Sequence, residues 1–397
     1  MEGFKKKIQH LASTYREEVI GIRRHMHQHP ELSNEEYETA DFIASKLKAY
    51  GIPYRTGVFK TGVTALIKGR KPDTKVVALR ADIDALPVQE QNEVEYKSTN
   101  KGRMHACGHD VHTASLLGTA RILQELKNDF EGSVKLIFQP AEEKIPGGAK
   151  FMIEEGVLKN PEVQSIIGQH VFPEIEVGKA GFKTGMYMAS TDEINLTVKG
   201  KGGHAAMPDL LVDPVLVASQ IVVALQQIVS RHANYNIPTV LSFGQFLAEG
   251  TYNVIPDEVR IKGTFRTFDE EWRARAHDHI ARISQSISKA SGAVCEVFIN
   301  KGYPFLVNDD IITENAVRSA EQYLGEENVI ELKPRMTAED FAYFSQDIPG
   351  CFYRLGTGNK EKGITSNLHT PTFDVDEESL EIGMGLMAWI TFNELRY

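Results

Sequence analysis

Short, wholly apolar runs that alternate with helical stretches constrain this chain more than any other feature. Residues 75–81 carry Val-Val-Ala-Leu, a strand apolar on both faces, and such strands belong to sheets covered on both sides. The run ends at Arg80-Ala81-Asp82-Ile83-Asp84-Ala85-Leu86-Pro87. A second strand, 133–138, ends at Gln139-Pro140-Ala141-Glu142-Glu143, and a third, 165–168, ends at Gln169-His170-Val171. Helical patterns at 113–127 and from Gly148 to Gly156 lie between them. This alternation predicts an α/β fold with a mostly parallel sheet covered by helices. In open α/β sheets ligands bind outside the carboxyl ends of the strands. Asp82, Glu142, Glu143 and His170 therefore converge in space although they are distant in sequence. One polar strand end is an ordinary surface loop; a row of them with this chemistry is a site.

The stretch Met104–Thr113 reads Met-His-Ala-Cys-Gly-His-Asp-Val-His-Thr. Cys107 and His109 stand two apart, so a turning backbone aims both at one ion. Thiolate sulfur and imidazole nitrogen are the ligands a borderline-soft divalent metal such as zinc prefers. The plainer reading is a helix N-terminus with Asp110 as cap before the apolar run 114–120, and both readings can hold together. His369, in Ser366-Asn367-Leu368-His369-Thr370-Pro371, follows a further buried strand at 351–355. The candidate metal ligands are thus Cys107, His109, Glu143, His170 and His369. Five exceed what one zinc ion takes, so two ions sharing a bridging group fit better, at a separation of ~3.5–4 Å. Cys107 is the natural bridge, because a thiolate has lone pairs for both. Glu142 and Glu143 can divide the labour, one ligating and one remaining free as general base for water. Zinc suits these donors best, and manganese, cobalt or nickel can occupy the same set.

Residues 4–26 and 34–50 have helical periodicity, the second ending at Gly51. Between them lies His25-Met26-His27-Gln28-His29-Pro30. Pro30 disfavours helix at His29, and no acid or thiol stands within the run, so a capped surface helix end is expected there. At 397 residues the chain exceeds one core, and two domains are expected. From residue 187 the pattern changes to period-two alternation at 194–199, 239–246 and 258–268, with 294–300 as a fourth strand and helices at 213–232 and 269–291. This is an α+β module with an antiparallel sheet, inserted at 187–301 between the halves, 1–186 and 302–397, of the first domain. Helices at 310–324 and 377–394 return to the first pattern. The net charge of -10 argues against nucleic acid or an anionic membrane as partner. Lys5–Lys7 lacks the apolar core of a signal peptide. The most apolar stretch, 214–229, is interrupted by Ser219, Gln220, Gln226 and Gln227 and is too short and polar to span a bilayer. Three cysteines, Cys107, Cys295 and Cys351, have no disulfide spacing, and a cytoplasmic, reducing location is expected.

These motifs resemble those of the co-catalytic metallopeptidase clan of aminoacylases and carboxypeptidases. More narrowly, the chain resembles the amidohydrolase family of hippurate hydrolases, indole-acetyl-amino-acid hydrolases and N-acetyl-diaminopimelate deacetylases. The likeness runs from His27-Gln28-His29-Pro30-Glu31-Leu32 to His369-Thr370-Pro371. It includes Arg80–Pro87, Met104–Asp110, Phe138–Glu143, Gly200-Lys201-Gly202-Gly203-His204-Ala205, Asn253-Val254-Ile255-Pro256 and Glu339-Asp340-Phe341. The resemblance implies Cys107, His109, Glu143, His170 and His369 as ligands of two divalent ions and Glu142 as base. It implies Asp82 as an acid behind the ligands, orienting them. Wider relatives carry Asp where Cys107 stands and His where Arg80 stands. Unaided, Gly202-Gly203-His204 reads as a hairpin turn; similar proteins use this histidine, with the asparagine matching Asn253, to hold the carbonyl oxygen as it becomes an oxyanion. Arg266 is a candidate clamp for a substrate carboxylate. The implied activity is hydrolysis of N-acyl-amino acids by a homodimer joined through the inserted module. A carboxypeptidase or dipeptidase with the same machinery is the alternative. A thiol-sensing or binding protein without turnover is a third reading, which the presence of Glu142 disfavours.

Overall fold

The computed structural model describes residues 2–396. The apolar periodicity of the N-terminal stretch forms helix α1 (Glu2–Gln28), which buries Ile8, Ala12, Tyr15, Val19, Ile22 and Met26 along one face. Helix α2 (Tyr37–Ala49) follows, then strands β1 (Tyr54–Val58), β2 (Gly62–Lys68) and β3 (Val76–Asp82). Helix α3 (His109–Glu125) leads to β4 (Ser133–Gln139) and β5 (Ser165–Glu176).

The chain divides into two compact units. The first comprises residues up to Tyr187, Val307–Lys333, and Asp340 onward. Its eight-stranded sheet runs β1-β2-β4-β3-β5, then the strands Gly350–Gly358, Ala180–Phe182 and Val329–Glu331. The central pairs β4–β3, β3–β5 and β5 with Gly350–Gly358 are parallel, while β1–β2 and β2–β4 are antiparallel. Every residue of β3, of β4 and of the strand Gly350–Gly358 is buried. That is the pattern of strands covered on both faces. Helix α3 packs against both α1 and the helix Glu378–Glu394, burying Val111, Leu116, Leu117, Ile122 and Leu123. Each such side chain contributes ~1.5–3 kcal/mol by leaving water.

Two local expectations are corrected. The helix does end at Gln28, with His25 exposed and the His29 Nδ1 2.8 Å from His25 O, but His27 is no surface residue: it is fully buried, its Nδ1 2.8 Å from Asp110 Oδ2 and its Nε2 3.2 Å from Glu90 Oε1. Arg23, one turn earlier, is equally buried and donates to Asp110 at 2.8 Å and Asp374 at 2.9 Å. Asp110 does not cap α3; Gly108 holds the cap position in a left-handed conformation, and Asp110 inside the first turn serves Arg23 and His27 instead.

The second unit comprises Met188–Leu306 and Pro334–Glu339. Ala189 N–H donates to the carbonyls of both Arg335 and Thr337, which ties the later segment to it. Its antiparallel sheet has the order Thr239–Leu247, Glu258–Thr267, Asp192–Lys199, Val294–Lys301. The helix expected over 213–232 is α-helical only over Pro214–Leu225, capped by Asp213, and ends in a π turn at Ile228–His232. Against the expectation that it is too short and polar, the stretch Pro214–His232 is by length and composition apolar enough to cross a membrane. In the structure Val217, Ala218, Ile221, Leu225 and Ile228 are core residues of the unit, packed with Ile194, Leu196, Phe265 and Trp272.

Candidate metal centre

The five candidate ligands come from four places in the first unit. Cys107 and His109 flank Gly108 where α3 begins. Gly108 has φ +81, and a Cβ there would run into the Val171 side chain, so only glycine lets the helix start this close to β5. Glu143 follows β4 after a tight loop. There Ala141 takes φ +55, and its N–H is held by Glu36 Oε1 at 2.9 Å. His170 lies within β5, not beyond its end as expected. The strand Gly350–Gly358 pairs Arg354 with His170 and carries β5 on to Glu176, whereas pairing with β3 stops at Arg80 and Gly168. His170 therefore sits where two parallel strands part. His369 adopts φ +63, rare for a residue with a side chain, its N–H fixed to Ala106 O at 2.8 Å.

The donor atoms converge. His369 Nε2 is 3.3 Å and His170 Nε2 3.6 Å from Cys107 Sγ. Glu143 Oε1 is 3.5 Å from His369 Nε2 and 3.9 Å from His109 Nε2. Bonds of ~2.0–2.3 Å in a tetrahedron separate ligand atoms by about 3.3–3.8 Å, which the spacings of 3.3, 3.5 and 3.6 Å match, while the 3.9 Å between Glu143 and His109 lies just outside that range. Two sets of three each fall within 4.8 Å: Cys107, His109 and His170, and Cys107, Glu143 and His369. Cys107 belongs to both.

Hydrogen bonds behind the ligands fix which nitrogen faces inward. His109 Nδ1 donates to Asp84 O at 2.9 Å, with Asp84 Oδ1 at 3.2 Å. His170 Nδ1 donates to Val171 O at 2.7 Å. Each Nε2 is thus left with its lone pair toward the cluster. His109 Nε2 and Glu143 Oε1 are buried without a hydrogen-bond partner, an arrangement a cation resolves. The field asks for positive charge as well. Burial opposes a charged His109, yet Asp82, Asp84 and Glu143 outweigh it and push its pKa up to about 10. Burial, with the Glu143, Glu142 and Asp82 carboxylates, holds the Cys107 thiol well above its ordinary value. The residues present fit a pair of divalent cations.

Asp82 stands behind this cluster, with Oδ1 2.5 Å from His112 Nδ1 and Oδ2 accepting from Arg80 Nη1 at 2.6 Å. Arg80 also donates to Gln139 and Asp340. Glu142 is buried, its Oε1 receiving Asp340 N–H at 3.4 Å. Asp84 and His112 escaped the sequence reading. Asp84 Oδ2 accepts from Ser33 Oγ at 2.6 Å and from Glu143 N–H at 3.0 Å, so one carboxylate positions two ligands. It is hidden in a run of apolar letters, although the alternation Asp82-x-Asp84 was there to read.

His204, Asn253 and Arg266 belong to the second unit. Strand Gly203–His204 pairs antiparallel with Val254–Ile255, and Ala205 N–H donates to Asn253 O, so His204 and Asn253 are neighbours. Ala206 N–H donates to His204 Nδ1 at 3.1 Å. That leaves the proton of the neutral ring on Nε2, as an outward donor. Arg266 is half-buried and donates to Thr264 Oγ1 at 3.2 Å and to Met336 O at 3.4 Å.

Residues 78–391 match the model for peptidase family M20/M25/M40. The chain is 44% identical over 368 residues to the N-acetyl-L-cysteine deacetylase of Bacillus subtilis, covering 93% of this chain and 86% of that one. It is 41% identical to thermostable carboxypeptidase 2 of Saccharolobus solfataricus, covering 92% of each. The crystal structure of the Bacillus subtilis YXEP protein, a dinuclear metal binding peptidase of the M20 family, superposes with a TM-score of 0.83 at 37% identity, covering 97% of this chain and 99% of that one.

Proposed function

The chain belongs to peptidase family M20/M25/M40 and is an amide hydrolase of that family; on this premise we propose that it cleaves N-acyl-amino acids into a carboxylate and a free amino acid. The observation that carries the proposal is the convergence of Cys107, His109, Glu143, His170 and His369 beside the second acid, Glu142. Cys107, His109 and His170 would hold one divalent ion, and Cys107, Glu143 and His369 the other. The ions, when bound, supply the charge that acidifies water and polarises an amide carbonyl.

The remaining steps fall to the chain's own groups. Glu142 takes the proton from the attacking water and returns it to the leaving amine. Its neighbour Glu143 is committed by its placement against His369 and His109. The Nε2–H of His204, with Asn253 beside it, is a donor for the carbonyl oxygen as negative charge builds there, and Arg266 pairs with the substrate carboxylate. His204 acts on a second copy of the chain, in a homodimer joined through the second unit. Support comes from the open edges of its four-stranded sheet, where Val294 and Phe298 are 60% and 66% exposed. Zinc suits the thiolate and imidazole donors best.

The name of the deacetylase relative supports acyl-amino acids as substrates. That of the carboxypeptidase, matched over a similar span, supports a second reading in which a peptide replaces the acyl group. A panel of N-acetyl and N-benzoyl amino acids and dipeptides, assayed with several divalent metals, separates the two. The proposal expects kcat/KM on acyl-amino acids to exceed that on every dipeptide. Preference for dipeptides would overturn it in favour of the second reading.

A further inference from the structure

We propose that His112 is a positioning residue: its imidazole replaces a missing rung between β3 and β5, and so sets the metal-facing nitrogen of His170. The inference rests on the metal-centre reading above.

It begins with the register. β3 and β5 pair through Val77 and Ser165, Ala78 and Ile166, Leu79 and Ile167, and Arg80 and Gly168, and no further. Backbone N–H groups alternate sides along a strand. Ile166 N–H donates to Pro349 O, on the side of the strand Gly350–Gly358. The N–H groups of residues 167, 169 and 171 therefore face β3. At Val171 that side has no β3 backbone left, because the strand has ended at Asp82. A buried N–H without an acceptor costs ~1–3 kcal/mol. His112 removes that cost: Val171 N–H donates to its Nε2 at 2.9 Å, and its Nδ1 donates to Asp82 Oδ1 at 2.5 Å. Asp82 is itself fixed by Arg80, and its carbonyl by Thr113 Oγ1 at 2.9 Å. The imidazole thus spans from the end of β3 to β5 where the strands part.

The donor–acceptor pattern sets the chemistry. A peptide N–H can only donate, so Nε2 carries no proton and the ring is neutral with its proton on Nδ1. Both nitrogens are engaged. His112 is therefore not a ligand, although its ring atoms lie within 4.8 Å of those of His109 and Asp82. What it governs is Val171, whose carbonyl accepts from His170 Nδ1 at 2.7 Å. On one side Val171 lies in the ladder with the strand Gly350–Gly358, paired with Leu355; on the β3 side its N–H is held by His112, its carbonyl by His170, and its side chain lies against Gly108. Releasing the N–H leaves the β3 side of this residue free to tilt, and the His170 ring tilts with the carbonyl it is bound to. The His112 and His170 ring centres are 4.4 Å apart. The consequence falls on the ion held by Cys107, His109 and His170, and spares the one held by Cys107, Glu143 and His369.

The test is a Zn2+ titration of metal-stripped protein against a competing chelator, with the melting temperature of the metal-free form measured alongside. Wild type should take two ions; a wild type that takes fewer removes the metal-centre premise before any variant is made. His112→Phe keeps the ring volume and loses both hydrogen bonds. It should hold one ion as wild type does and the other ~10–100-fold more weakly. His112→Gln places an amide oxygen near the Nε2 position and should restore the second ion to within a few-fold. His112→Asn reaches only Asp82 and should behave as the Phe variant does. Two ions at wild-type affinity in all three variants would overturn the inference. So would equal weakening of both ions with a lowered metal-free melting temperature, since that is loss of packing alone.

Discussion

Glu142 and Glu143 are adjacent in sequence, and the proposed function puts them to opposite uses. Glu143 lies among the histidines and the cysteine, while Glu142 is buried beside them with Asp340 N–H on its carboxylate. Glu142→Gln keeps the shape and the accepted hydrogen bond but cannot take a proton. Turnover should fall by roughly 10²–10⁴-fold while Zn2+ content, measured on the same preparation, stays at the wild-type level; near-normal turnover contradicts the assignment. Cys107 makes a second prediction at this scale. Its thiol is held protonated by burial and by the surrounding carboxylates, so ion uptake must expel the proton. Apparent Zn2+ affinity should tighten with rising pH, by about tenfold per unit for each proton released, and Zn2+ uptake in weakly buffered solution should acidify it. Affinity that does not change with pH, with no proton released, would exclude the bridging thiolate. That the five candidate donors come together was legible because metal chemistry restricts the choice to few residue types. Asp84 and His112 were not, because a carboxylate or imidazole that acts through another side chain carries no mark of it in its own neighbourhood.

At the scale of elements, the polar group between α1 and α3 is the part the sequence concealed. His27 is 63 residues from Glu90 and 83 from Asp110, so no local spacing betrays the pairing, and an isolated histidine before Pro30 reads as surface. Burial and the Arg23 charge push His27 down, but the Asp110 and Glu90 carboxylates outweigh them and its pKa is raised above 6.5. A raised folded value means that the group's contribution to stability is complete below pH 6.5 and is lost as pH rises through the folded pKa. The melting temperature of wild type relative to His27→Gln should therefore be highest at or below pH 6.5 and shrink as pH rises above it. A difference that grows with that rise would reverse the sign and refute the pairing. Strands and helices themselves were largely readable, since β3 and β4 each carry an apolar run and are buried throughout. The end of β5 was not, because its continuation past Gly168 depends on the strand Gly350–Gly358, nearly two hundred residues later, for its hydrogen bonds.

For the whole molecule, the change of pattern near residue 187 was visible as a shift from buried runs to alternation, and the structure groups Met188–Leu306 with Pro334–Glu339. The later segment could not be foreseen, because backbone hydrogen bonds from Ala189 hold it and no residue type marks such bonds. If His204 serves a second copy, neither His204→Ala nor Glu142→Gln protein should be active alone. Mixed under conditions where subunits exchange, they should regain up to about a quarter of wild-type activity, the share of intact composite sites in a statistical mixture of dimers. Proven exchange without regained activity would restrict His204 to its own chain or to no role. The central claim, a two-ion centre that hydrolyses acyl-amino acids, is met most directly by adding Zn2+ stepwise to metal-stripped protein while following both bound ion and hydrolysis of an N-acetyl amino acid. The account predicts no hydrolysis without metal and full activity as the second ion per chain is bound; hydrolysis that survives complete removal of metal, or that is complete with a single ion, would contradict it.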